Sequence, residues 1–243
     1  MEMMKKPSVA ILDSDILIYR ASFWADVEGI DELESRLKQD IINWTPDGVD
    51  RVVLARSCSR EANFRRRFLP TYKFNRNDKP VPECLEYSKE ILDTLGDVRM
   101  VSHIEADDLM GIGASSGKAI AVTIDKDLRG VPGWHWNPDK EPEPTLISDY
   151  EADKFFACQL IAGDGTDNIP GLFRKGKSFF DKNILPFDVE DWWWEIWWAY
   201  EEDGHDMDSF LAQARSLRIL RDGEYNKETK EITFWSLPDR YAE

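Results

Sequence analysis

Nine acidic residues fall in four short clusters: Asp13 and Asp15; Glu105, Asp107 and Asp108; Asp125 and Asp127; Asp164 and Asp167. Each cluster lies at or just past the end of an apolar stretch. Parallel α/β sheets build their sites at such strand ends. Carboxylates brought together there repel one another at neutral pH, and hard divalent cations relieve the repulsion. Mg²⁺ and Mn²⁺ are the natural choice because they prefer oxygen ligands. The chemistry that needs such a pool is phosphoryl transfer, with two ions about 4 Å apart. Taken singly, the clusters also have plainer readings. Asp13 after an apolar strand is a common helix cap. Acids at 105, 107 and 108 suit the positive end of a helix, although three acids in four positions exceed what capping needs.

The elements that must position these residues are legible from periodicity. Strands are expected at 9–13, 52–55, 98–101 and 119–124, with weaker ones at 134–136 and 145–147. Helices are expected at 16–24, 31–44, 81–95 (with Pro82 near its start) and 105–114. The alternation predicts a parallel α/β core over residues 1–150. Beyond it the pattern is mostly helical: 150–162, 175–183, 189–201 and 206–221, with a further strand at 231–235. This predicts a helical module over 151–243. The run Trp192-Trp193-Trp194-Glu195-Ile196-Trp197-Trp198 reads as a helix packed within that module. A base-stacking platform is the other reading.

The bulk numbers bound the class. The chain has 243 residues, enough for one or two domains with a real core. Asp13 and Asp15 interrupt the first apolar run, which excludes a signal-peptide core there, and no segment approaches about 18 apolar residues. Three cysteines (Cys58, Cys84 and Cys158) lack zinc-type spacing and fit a reducing cytoplasm. Three histidines give little support to a Ser-His or Cys-His nucleophile. The net charge of −16 argues against nucleic acid, but its distribution does not. Between residues 56 and 79 lie Arg56, Arg60, Arg65, Arg66, Arg67, Lys73, Arg76 and Lys79, eight cations against Glu61 and Asp78, a local charge of +6. Arg174, Lys175, Lys177 and Lys182 form a second island. Two basic islands on an acidic body suit a protein that grips a polyanion at defined places, and by count alone ordinary solvated faces explain them equally well.

Gly163-Asp164-Gly165-Thr166-Asp167-Asn168-Ile169-Pro170-Gly171 is the most distinctive segment. Its glycines allow positive backbone angles and close approach to phosphate. The following Arg174-Lys175-Gly176-Lys177-Ser178 could seat a phosphate at a helix start. A generic turn explains the glycines but not the two aspartates and the basic tail together.

In this order the motifs resemble the structure-specific 5′-nucleases, or flap endonucleases, which have a PIN-like α/β core. The matching elements are Ile11-Leu12-Asp13 with Tyr19-Arg20; Asn63-Phe64-Arg65 through Pro70-Thr71-Tyr72-Lys73 to Arg76; Glu105-Ala106-Asp107-Asp108; Asp125-Lys126-Asp127; and Gly163 to Gly171. The ending, Ala214-Arg215 to Leu220 and Glu224-Tyr225-Asn226 to Trp235, looks like the small podophage 5′→3′ exonucleases. The resemblance implies a parallel-sheet nuclease core, followed by a helical module with a helix-hairpin duplex-binding motif at 163–185.

The resemblance also implies roles. Asp13, Glu105 and Asp107 look like ligands of a first Mg²⁺ or Mn²⁺; Asp108, Asp125, Asp127, Asp164 and Asp167 would serve a second. Lys73 and Arg76 match basic residues that contact the scissile phosphate, with Asp13, Asp107 and Asp125 completing the catalytic set. Arg20, Arg65, Arg66, Arg174, Lys175 and Lys177 match positions that contact DNA. Several relatives hold a potassium ion at the hairpin. The implied substrate is duplex DNA with a 5′ end, nick or flap, with RNA–DNA hybrids also within range. The implied setting is phage replication or recombination in the host cytoplasm. Two departures stand out. The stretch Val53-Leu54-Ala55-Arg56-Ser57-Cys58 lacks an acid where the family commonly has one, leaving Asp15 as the candidate to compensate. The hairpin reads Leu172-Phe173-Arg174-Lys175-Gly176, without the usual glycine-rich pair of turns. Three rivals remain: a DNA-binding relative that has lost most activity, a haloacid-dehalogenase-type phosphatase with Asp13 as nucleophile and Asp15 as acid, and an RNA-directed PIN-type ribonuclease, a class that usually lacks a module like 150–220.

Overall fold

A computed structural model describes residues 5–77 and 79–239. Asp78, counted above in the charge of the basic segment, lies outside them. The chain forms two compact units. The first comprises Met1–Asn63, Pro80–Ile147 and Ile219–Tyr225; the second comprises Phe64–Lys79, Ser148–Arg218 and Asn226–Glu243. A single cut near residue 150 therefore does not separate them. From Phe64 on, the basic segment belongs with the helices, and a short return of the chain belongs with the sheet.

The first unit is an α/β sandwich. Its six strands are β1 (Val9–Asp13), β2 (Arg51–Arg56), β3 (Asp97–Met100), β4 (Ile120–Val122), β5 (Gly133–Trp136) and β6 (Thr145–Ile147). They lie in the order β3-β2-β1-β4-β5-β6. All neighbours are parallel except β6, which runs antiparallel to β5. Helices α1 (Ser14–Glu28), α2 (Leu33–Asn43), α3 (Leu85–Leu95) and α4 (Ala106–Ser115) connect them. Strand alternation sorts the side chains into two cores. Leu12, Leu54, Ile120 and Val122 face α1–α3, where Leu17, Leu33, Leu37 and Leu92 close the layer. Ala55 and Ala121 face α4, where Met110 and Ala114 meet Leu128, Val131 and Ile219. Helix α3 starts at Leu85, later than expected, because Pro82 lies in the turn before it and accepts the Leu85 N–H. Strand β4 is shorter than expected, because past Val122 the chain breaks from the ladder into the Thr123–Asp125 turn.

The second unit holds α5 (Asp149–Ala162), α6 (Lys177–Asn183), α7 (Val189–Glu202) and α8 (Met207–Leu217). Its core is aromatic: Phe156, Phe180, Trp192, Tyr200 and Phe210 are essentially buried. Trp193 and Trp197 join them, and Trp194 and Trp198 pack at the margin. The tryptophan run is thus a packing face, as the plainer reading held. Helix α8 stops at Leu217 because the backbone turns extended at Arg218. Residues 231–235 form no strand; there Phe234 and Trp235 contribute rings to the aromatic core. Among the described residues, no helix is long and apolar enough to cross a membrane.

Candidate active site

The strand order turns back on itself at β1. The chain proceeds from β1 outward to β2 and β3, then returns to β4 on the other side of β1. Open α/β sheets bind their ligands at such a switch point, beyond the carboxyl ends of the strands. Asp13 ends β1 there. The register pairs Leu12 with Val122, so the next step brings Thr123 beside Asp13. The Thr123 hydroxyl donates to Asp13 Oδ2 at 2.8 Å and accepts the Asp125 backbone N–H at 3.0 Å. Asp13 Oδ1 accepts the Ile16 N–H at 3.3 Å, capping α1. Asp125 Oδ1 accepts the Asp127 N–H at 2.9 Å, which fixes the turn that follows.

Burial and like charge set the state of this corner. Asp13 is buried, and its carboxyl is pushed up from the ordinary 3.8 to about 7. Burial is the largest cause, followed by the charge of Asp15; Asp125 adds to it, while Thr123 and the Ile16 amide oppose it. A buried carboxylate beside two partly buried ones fits a divalent cation in charge, and its oxygen donors fit a hard ion. Among the described residues, no three acidic, histidine or cysteine side chains are drawn tightly enough together to cage one ion ready-made.

Asp15 reaches the stretch after β2, where the sequence carries no acid. Its Oδ2 accepts the Ser57 N–H at 3.1 Å, and Ser57 Oγ in turn accepts the Ala106 N–H at 3.0 Å. Ser57 therefore links the first acidic cluster to the start of α4, where Glu105 is the N-cap and Asp107 lies in the first turn. Thr123 and Ser57 were absent from the expected site. A hydroxyl residue immediately past an apolar strand and two before an acid was the available signal for Thr123.

Asp108 serves as a helix cap. It is fully buried, with Oδ2 accepting the Glu105 N–H at 2.9 Å and Oδ1 the Leu220 N–H at 3.1 Å. Both oxygens are committed to backbone amides, so the plainer capping reading applies to this member of the cluster.

Asp164 and Asp167 lie in the second unit. The turn they occupy closes on itself: Gly163 and Gly171 both have positive φ, and a Cβ on either would fall within 2.5 Å of the opposing backbone. Asp164 Oδ1 accepts the Thr166 N–H at 2.7 Å. Asp167 gathers the basic segment: Oδ2 accepts the Tyr72 hydroxyl at 3.0 Å and lies 3.6 Å from Lys73 Nζ, and Oδ1 accepts from Arg76 at 2.5 Å. Backbone bonds staple the same two stretches, Lys73 N–H to the Asp167 carbonyl at 2.9 Å and Asn168 Nδ2 to the Thr71 carbonyl at 2.9 Å.

The expected DNA-contact residues divide. Arg65 is corrected: it is 2% exposed, and its guanidinium donates to the Ser216 and Arg218 carbonyls at 3.0 and 2.8 Å. It is a structural cation of the second unit, closed to phosphate. Arg20 is exposed but paired with Asp139 at 3.1 Å. Arg66 is half-buried and donates to the Pro70 carbonyl at 3.4 Å. Lys175 lies 3.5 Å from Asp203, and Lys177 2.5 Å from Asp181. Arg174 is exposed and stacks on Phe173, its guanidinium carbon 4.9 Å from the ring centroid.

No protein-family model matches the sequence. An exonuclease of Escherichia phage T7 is 28% identical over 224 residues, an alignment covering 76% of this chain and 73% of the phage protein. Among solved structures, the D15 protein of bacteriophage T5, co-crystallised with metal ions, superposes with a TM-score of 0.61 at 16% identity. That match covers 85% of this chain and 87% of the other. The fold is that of the 5′-nucleases. The catalytic core of Rad2 in complex with DNA substrate shares it, with a TM-score of 0.52 at 15% identity over 96% of this chain and 84% of that one.

Proposed function

We propose that the chain is a metal-dependent 5′→3′ exonuclease or flap endonuclease that hydrolyses phosphodiesters near the 5′ ends of duplex DNA. One observation carries the reading: two strand-end carboxylates, Asp13 and Asp125, are tied through Thr123 at the switch point of a 5′-nuclease fold, where burial and the neighbouring acids Asp15 and Asp125 raise the Asp13 carboxyl. The similarity to a phage exonuclease supports the same reading from the sequence side.

The reaction adds water across a P–O bond. A water oxygen bonds to phosphorus, the 3′-oxygen leaves with a proton, and the shortened strand keeps its 5′-phosphate. Asp13 and Asp125, with Asp15, Glu105 and Asp107 as the other oxygen donors of the first unit, would hold divalent cations such as Mg²⁺ or Mn²⁺. Bound there, a pair of such ions would polarise the phosphate and lower the pKa of water. The remaining work falls to the chain. Thr123 fixes the orientation of Asp13 and the path of the Asp125 backbone. Asp15, through Ser57, fixes the approach to α4. In the second unit, Lys73, Arg76 and the hairpin cations bind the phosphate backbone, so affinity is salt-sensitive with little sequence preference. Asp164 and Asp167 are that unit's own oxygen donors. A cation at Asp167 has to compete with Arg76 and Lys73.

Digestion of 5′-labelled blunt, nicked and flapped duplexes, with Mg²⁺ and then with chelator, tests the reading. Metal-dependent release of short labelled products is expected. Intact duplex throughout, or inorganic phosphate as the only product, contradicts it; the latter is the phosphatase outcome.

A further inference from the structure

The hairpin between α5 and α6 displays one large apolar side chain to solvent. Phe173 is 71% exposed, while the residue before it, Leu172, is buried. The display is built rather than incidental. Leu172 is anchored by its N–H to the Ile161 carbonyl at 2.9 Å. The Phe173 N–H donates to Asp203 Oδ2 at 2.9 Å. That bond, with Lys175 beside it, holds the Asp203 carboxyl below the usual range. Arg174 then adopts a left-handed backbone, φ 55°, which turns the chain toward α6. The turn is thus fixed from both sides, and the ring is pushed outward with a guanidinium stacked on it.

An exposed phenylalanine on a fixed turn costs solubility unless something covers it. Its surroundings indicate what does. Arg174 is exposed on the same turn, while Lys175 and Lys177 beyond it are ion-paired with Asp203 and Asp181. Among the described residues Arg174 has only the ring as partner, and its guanidinium keeps its hydrogen-bond donors for another group. An apolar ring beside a phosphate-seeking guanidinium matches a nucleic-acid strand, in which apolar sugar faces alternate with phosphates. Aromatic rings contribute most to nucleic-acid binding when they stack on bases. A ring against a sugar edge offers less surface.

We propose that Phe173 is a DNA-contact residue: its ring packs against the deoxyribose face of a duplex strand while Arg174 takes the neighbouring phosphate. This rests on the duplex-binding reading above and deepens it. It assigns to the hairpin a contact that is apolar, and therefore separable from the charge contacts by salt.

The test measures binding of a short fluorescent blunt duplex by the full chain in chelator, across a salt series. The variants are Phe173→Ala, Phe173→Leu and Arg174→Ala. Phe173→Ala is expected to weaken binding about 3- to 10-fold with the slope of log K against log salt unchanged. Phe173→Leu keeps most of the affinity, and Arg174→Ala lowers the slope by about one. Thermal melts check that the variants remain folded, which an exposed position favours. Phe173→Ala binding as the parent does overturns the proposal. So does a parent chain that self-associates through Phe173 while its duplex affinity ignores the substitution. A parent that binds no duplex at any salt overturns the functional reading itself.

Discussion

The Thr123 hydroxyl reaches the Asp13 carboxylate across 2.8 Å, and the same oxygen receives the Asp125 backbone N–H. One uncharged side chain thereby sets two acidic strand ends, 112 positions apart in sequence, in a fixed relation. Replacing it with valine keeps the shape and deletes both bonds. Thr123→Val is expected to leave a folded protein and to lower cleavage at saturating substrate about 10-fold, since such positioning bonds contribute about 1–1.5 kcal/mol. Because the lost bond opposes the rise of the Asp13 pKa, the acid limb of the pH–rate profile should move to higher pH.

Asp13 also makes stability depend on pH. Its folded-state carboxyl sits at about 7, against 3.8 ordinarily. Between these values the folded chain binds more protons than the unfolded one, so stability falls as pH rises. The contribution is fully present below about pH 4 and is lost by about pH 7. Denaturant melts should show that decline in the parent and a flatter profile in Asp13→Asn. Added Mg²⁺ should recover more stability at pH 8 than at pH 5, because only the ionised site attracts it.

Arg65 and Asp108 should behave as structural residues. Arg65→Met leaves the Ser216 and Arg218 carbonyls without their donor and is expected to cost about 2–4 kcal/mol in urea melts. Asp108→Ala strips the Glu105 and Leu220 amides and should cost a similar amount. In both variants, the duplex affinity and the metal dependence of the protein that remains folded should match the parent.

Asp167 holds the basic segment in place. Asp167→Ala removes the acceptor shared by Tyr72, Lys73 and Arg76, and trypsin should then cut after Lys73 or Arg76 several-fold faster than in the parent. Equal cutting rates would show that the backbone bonds from Lys73 and Asn168 suffice alone.

Much of this was legible in the sequence. The strand-end acids and the apolar runs point to β1, β2 and the parallel core, because a short apolar run such as Val9–Leu12 ended by an acid has few other readings. The hairpin turn was legible through Gly163 and Gly171, whose close approach no other residue permits. Partnerships were not legible. Arg65 and Arg66 look alike in sequence, and only the third dimension brings two backbone carbonyls to one of them. Asp107 and Asp108 are neighbours of identical type, yet one side chain is tied down by the Leu220 amide, which arrives from 112 residues away. The end of α8 was not legible either: a helical pattern continues through Leu220, while the backbone turns extended at Arg218.

The most direct test of the central claim is single-turnover cleavage of a 5′-labelled duplex in Mg²⁺ by Asp125→Asn. The substitution keeps the shape of the side chain and the Asp125 backbone bond to Thr123 while removing the negative charge. The account predicts an unchanged melt and a rate at least about 100-fold below the parent, the scale of losing one preorganised electrostatic group. A folded Asp125→Asn protein that cleaves at the parent rate would contradict it.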